Sequence, residues 1–154
     1  MPLFRLKSWM LPGAAAFAIL LPGLASATLG EPEASVFTDS AQLQGSVKES
    51  NVGGYRVHEI QLASGTSVRE YAGLDGNVFA ITWHGPNVPN LKQILGGYFD
   101  AYVAAAKAPH ADHHHLRVQQ GDLVVEASGH MRAFTGRAYL PRAMPAGLSV
   151  GDLT

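Results

Sequence analysis

In "LKQILGGYFDAYV", residues 91–103, the side chains of Leu91, Ile94, Leu95, Tyr98, Phe99, Tyr102 and Val103 stand at i, i+3, i+4, i+7, i+8, i+11 and i+12. That spacing draws one continuous apolar stripe and predicts a single long amphipathic helix packed by that face. Asn90 is placed to cap it, because its side chain can accept from the first free amides, and Pro109 marks its end. Gly96 and Gly97 each cost about 1 kcal/mol against alanine in a helix interior, so the stripe must recover that cost by packing on a sheet.

The sheet is read from the two flanks. Upstream, residues 55–62 and 67–72 read as strands joined through Ala63-Ser64-Gly65-Thr66. Asp75-Gly76 then precedes "NVFAITW", residues 77–83. Asp-Gly between β-rich runs signals a hairpin, because both residues accept the left-handed backbone of a tight turn. Strict alternation would set Phe79, Ile81 and Trp83 on one face and Val78, Ala80 and Thr82 on the other. The run from His84 to Pro89 ends the strand, since a glycine and two prolines cannot continue a ladder. Downstream, residues 116–119, 123–127 and 130–140 read as three further strands, with a turn at Gln120-Gly121-Asp122 and a second turn or bulge at Ser128-Gly129. The expectation is an α+β fold: an antiparallel sheet of about six strands in the order βββ-α-βββ, with one long helix on one face.

Outside this domain, residues 55–141, the chain changes texture. Residues 28–54 are polar and read as an N-terminal arm that docks through Val36, Phe37 and Leu43, with Asp39 capping a short helix over 40–47. Residues 142–154 read as an irregular tail. The first 27 residues read as an address: Arg5 and Lys7, then the apolar run "AAAFAILL" at 14–21, then Leu24-Ala25-Ser26-Ala27. A small-residue site of this kind is cut after Ala27, leaving a periplasmic or secreted chain. The apolar run is bounded by Pro-Gly on both sides and is too short for a membrane anchor, which needs about 20 residues.

Loss of Arg5 and Lys7 with the leader leaves nine Lys/Arg against twelve Asp/Glu, a balance of minus three spread without runs. That balance excludes the basic face of a nucleic-acid binder. The chain has no cysteine, so disulfides, thiol chemistry and thiolate metal sites are excluded, and burial alone must hold the fold.

The segments "SVREYAGLDGNVFAITWHGPNVPNLKQILGGYF" and "GDLVVEASGHMRAFTGRAYLP" resemble the exported bacterial proteins grouped as domain of unknown function 2844. The resemblance spans nearly the whole chain after the leader. It implies a proteobacterial exported protein and brings no catalytic residue with it. The motif positions it carries over are Arg69, Glu70, Trp83, Gly85, Pro86, Leu91, Gly96, Tyr98, Gly129, His130, Arg132, Phe134, Gly136 and Arg137.

Three candidate sites follow from the residues themselves. Four of the seven histidines fall within "HADHHH", residues 110–115. His110, His113 and His115, with Asp112, are candidate ligands for Zn, Cu or Ni, the ions that imidazole suits where sulfur is lacking. Against this, a tight site needs three or four ligands held by further partners, and a solvated loop explains the run equally well. Ser128 and His130, with Asp122 or Glu126, offer the parts of a hydrolase triad but lack the glycine-flanked elbow that aims a nucleophile. Trp83, His130, Arg132 and Arg137, with Arg69, form a candidate binding surface for carboxylates or sugar acids. The plain alternative is cross-strand pairing of these arginines with Glu70 and Glu126, and a Trp83 that closes the end of the core. The expectation is a non-enzymatic binding or assembly module without a cofactor. Its partner would be another exported protein or a cell-envelope polymer.

Overall fold

The computed structural model describes residues 29–107 and 115–154. The leader and the Ala27 cleavage position lie outside the described residues. A single seven-stranded antiparallel sheet dominates the chain, in the order β1-β2-β3-β4-β7-β6-β5. Its strands are β1 (Ser46–Asn51), β2 (Tyr55–Gln61), β3 (Ser67–Gly73), β4 (Val78–Gly85), β5 (His115–Gln120), β6 (Leu123–His130) and β7 (Ala133–Tyr139). Two meanders, β1–β4 and β5–β7, are joined edge to edge where β4 pairs β7.

This corrects the expected βββ-α-βββ arrangement with one long helix. The segment at 91–106 breaks into α2 (Leu91–Leu95), a 3-10 turn (Gly96–Tyr98) and α3 (Phe99–Ala106). Here α1 (Val36–Gln42) is the helix of the N-terminal segment. Gly96 adopts φ 47° and ψ −120°, a conformation no helix holds. In an unbroken helix the Ile94 carbonyl would be taken by the amide four residues on. The break frees it to accept from the Leu29 amide at 3.2 Å, so the N-terminal segment docks where the helix is interrupted. Asn90 does cap α2, accepting from the Gln93 amide at 3.3 Å.

The seventh strand comes from the N-terminal segment. Asp39 lies inside α1 rather than before a helix at 40–47, and residues 46–51 extend into β1 along β2. Leu29, Val36, Ile94 and Leu95 pack with Ile60, Val68, Ile81, Trp83, Val125 and Ala138 into the larger core, under the helices. A second, smaller core on the opposite face joins Tyr71, Phe79, Ala80, Val124 and Tyr139 to Leu153, with Met144, Leu148 and Val150 of the C-terminal segment packed against it. The sheet is therefore covered on both sides.

The turn expected at Asp75-Gly76 joins β3 to β4, with Gly76 at φ 79°. Strict alternation on β4 does not hold. Tyr71 pairs Ala80 while Ala72 pairs Val78, so Phe79 is an extra residue on that strand. This bulge sends Phe79 and Ala80 together into the smaller core and returns Val78, Ile81 and Trp83 to the larger one. At the other hairpin the turn is Met131-Arg132, not Ser128-Gly129. Gly129 remains in β6 because the Phe134 ring, directly across the pair, fills the space a Cβ would need, 2.4 Å away.

Candidate functional site

Period-2 alternation on the face of the smaller core places residues two positions from Tyr71, Tyr139 and Val124 on the same side of the sheet. The register then draws a row across all seven strands: Lys48, Glu59, Arg69, Thr82, Arg137, Glu126 and Arg117. Beside it runs a second row of Ser46, Gln61, Ser67, His84, Thr135, Ser128 and His115. The C-terminal segment covers the neighbouring apolar row and reaches the first of these two only through backbone oxygens held by Arg69 and Arg137. From Glu59 to Arg117 in the first row and from Ser67 to His115 in the second, they line a depression of about 700 Å³, bounded by Leu153 and Thr154 at one end.

The charges in the depression are paired across strands. Arg137 donates from Nε to Glu126 Oε2 at 2.6 Å, with Nη2 2.5 Å from the same oxygen. Arg117 Nη1 lies 3.1 Å from the other oxygen of Glu126. Arg69 Nε donates to Glu59 at 2.9 Å. Hydrogen bonding to Glu59 outweighs partial burial and raises the Arg69 guanidinium above its ordinary value, so it is charged at any accessible pH. The outer face of each central arginine is turned on the C-terminal segment. Arg69 Nη1 donates to the Thr154 backbone oxygen at 2.5 Å, and Arg137 Nη1 donates to the Val150 carbonyl at 2.9 Å. The Tyr71 hydroxyl also donates to the Thr154 oxygen at 2.7 Å and accepts from the Thr154 amide at 3.1 Å. Arg117, with 65% of its side chain exposed, is the guanidinium in this row most open to solvent.

The residues singled out from sequence are only partly brought together. Arg137 lies in the row, joined by Arg69. Trp83 is 2% exposed and faces the larger core, its indole filling the space beside Gly136 on the opposite side of the sheet from Arg137. His130 and Arg132 stand at the exposed end of the β6–β7 hairpin, away from the depression. Glu70 does not share the face of Arg69. It is fully buried on the helix side, in register with His58 and Ile81. Glu126 is the acidic partner that sequence reading anticipated. Ser128 and His130 project in parallel from one strand about 7 Å apart at Cα. The two candidate acids for that pair are both salt-bridged, Glu126 to Arg137 and Arg117, and Asp122 to Arg142.

His110, His113 and Asp112 lie outside the described residues. His115, the last of that run, begins β5 on the rim of the depression. Among the described residues no group of three or more histidines and carboxylates is placed to hold a metal ion. None of their helices is long and apolar enough to cross a membrane.

Residues missed in the sequence include Glu59, Thr82, Ser67, His84, Thr135 and Arg117. All but Arg117 lie at an even spacing from a residue of the smaller core on their own strand, and Arg117 joins them only through its pairing with Glu126, signals that act only once the register of seven strands is known.

A second charged cluster sits under the N-terminal segment on the helix side. Glu33 is salt-bridged through both oxygens to Arg56 and lies 2.7 Å from His58 Nε2. The bond to Arg56 first, opposed by burial and aided by His58, holds the Glu33 carboxyl below its ordinary value.

A two-meander antiparallel sheet, covered by broken helices on one side and bearing an open polar depression on the other, is the architecture of a domain whose free surface is the sheet itself. The chain belongs to the family described as Protein of unknown function (DUF2844), whose model matches residues 25–153. No curated protein matches the chain, and no solved structure does.

Proposed function

We propose that the chain is an exported, non-enzymatic binding module that holds another exported protein against the depression between β2 and β5. The observation carrying this reading is the polar depression floored by these cross-strand rows, left open beside a row of the same face that the C-terminal segment covers. The chemistry of the two rows is mixed: charges of both signs, five hydroxyls and two imidazoles, on paired strands. Such a surface suits a protein partner, whose interface also mixes hydrogen bonds with neutralised charge. A polyanionic polymer would call for unengaged guanidinium forks. Here Arg69 and Arg137 are already spent on Glu59, Glu126 and two backbone oxygens. The leader-like start, read from Arg5 to Ala27, supports export.

The reading is tested in living cells with a photo-crosslinking residue at Thr135, inside the depression, and at Leu74, exposed on the β3–β4 turn. A discrete protein adduct from position 135 alone, lost when Arg117→Glu is added, is expected. Equal adducts from both positions overturn it. So does a protein that instead co-sediments with protease-treated envelope polymer.

A further inference from the structure

The chain's own C-terminal segment occupies one end of the depression. Val150–Asp152 form a 3-10 turn closed by a reciprocal cap: the Asp152 carboxylate accepts from the Ser149 amide at 2.8 Å and from its hydroxyl at 2.7 Å. The turn delivers Leu153 into the smaller core, where it is 4% exposed. Ser149, Gly151, Asp152 and Thr154 around it are exposed. Almost every other contact of this segment with the sheet is to main chain: Arg137 to the Val150 carbonyl, Arg69 and Tyr71 to the Thr154 oxygen, and Tyr71 again to the Thr154 amide. Side-chain groups that bond only to the main chain of the segment, flanking one aliphatic socket, are the recognition elements of a peptide site, since they accept any sequence that presents the right backbone and one apolar side chain.

The geometry points to a peptide site that Gly151–Thr154 fill in the resting chain and that a partner's segment takes over by displacing them. The segment recognised is a short polypeptide turn followed by an aliphatic residue. This rests on the reading of the depression as the binding face, and it names the element of the partner that face holds. Displacement needs only one buried side chain to leave, because Met144, Leu148 and Val150 keep the rest of the smaller core covered. The remaining depression, past Thr154 towards Ser128 and His115, gives a longer segment room to continue.

The probe is the labelled hexapeptide Ser-Val-Gly-Asp-Leu-Thr, read by fluorescence anisotropy on the chain lacking Gly151–Thr154 and on the intact chain. The shortened chain should bind it at least tenfold more tightly than the intact one. Alanine for the peptide leucine, or Arg69→Ala in the protein, should each weaken binding about tenfold. A shortened chain with native circular dichroism that ignores the peptide, or binds a scrambled one equally, overturns the proposal. Hydrogen exchange on the intact chain gives a second reading that needs no variant. The Leu153 and Thr154 amides should exchange far faster than those of β4, and protection equal to that of β4 overturns displacement. If crosslinks from Thr135 identify a partner while the peptide fails to bind, the peptide site falls and the binding face stands.

Discussion

The indole of Trp83 occupies the space that a side chain on Gly136 would need: a Cβ there would stand 2.2 Å from Cζ2 and 2.5 Å from Cε2. The two residues are direct partners across β4 and β7, the junction that joins the two meanders. The glycine lets the largest side chain of the core lie against the backbone at the centre of the sheet.

Gly136→Ala is therefore expected to destabilise the chain by about 1–3 kcal/mol, the usual cost of forcing extra atoms into a packed core. Trp83→Phe shrinks the ring that collides. The double variant should thus lose less than the sum of the two single ones, because the residues are in contact. Urea unfolding of the four proteins measures this, and strict additivity would show that the ring moves aside freely.

In the cross-strand row, Glu126 is the shared carboxylate of Arg137 and Arg117. Its removal as Glu126→Gln leaves two guanidiniums without their anion and should cost about 1–3 kcal/mol, as for other charge-assisted hydrogen bonds. Glu59→Gln breaks a single, more exposed pair and should cost less than about 1 kcal/mol. Double-mutant cycles should give a larger coupling for Glu126–Arg137 than for Glu126–Arg117, with only the latter collapsing in high salt.

How far this architecture was legible in sequence depends on what fixed each part. Asp75-Gly76 and Asn90 act through their own backbone or side chain, so their roles could be read locally. The apolar stripe from Leu91 to Tyr102 does face the core, but its continuity hid the break. Periodicity records which residues are buried, not whether Gly96 keeps a helical φ when Leu29 competes for the Ile94 carbonyl. The strand β1 was hidden for a related reason: "SVKESN" has almost no apolar alternation, because an exposed edge strand needs none. Phe79 was misplaced because a bulge shifts alternation by one without marking the sequence. The depression was least visible of all, since Glu59, Arg69, Thr82, Arg137 and Glu126 are scattered along the chain and meet only through register.

The Glu33 cluster predicts a pH dependence of definite sign. Its carboxyl is depressed in the folded chain, chiefly by the Arg56 hydrogen bonds, relative to an ordinary value near 4.5. Such a group contributes stability that is fully present above its unfolded value and is lost as pH falls through its folded one. Stability should therefore drop below about pH 4.5 in the native chain, and Glu33→Gln should flatten that part of the curve while lowering the plateau above it. Denaturant midpoints between pH 3 and 7 check this; parallel curves would mean that other carboxylates govern the acid limb.

Arg132 sits at φ 62° in the two-residue turn between β6 and β7, next to Met131, which is 96% exposed. A left-handed backbone costs a branched or long L-residue roughly 1–2 kcal/mol, and glycine or asparagine very little. Arg132→Asn should therefore raise stability by up to about 1 kcal/mol, and Arg132→Gly by somewhat less, because glycine also loosens the unfolded chain. Thermal unfolding of both variants measures the gain. A loss in both would show that the Arg132 side chain makes contacts outweighing its backbone cost. A gain would show that arginine at the hairpin tip is unfavourable for folding, and would make this exposed corner, with His130 beside it, the second place on the molecule to map by crosslinking.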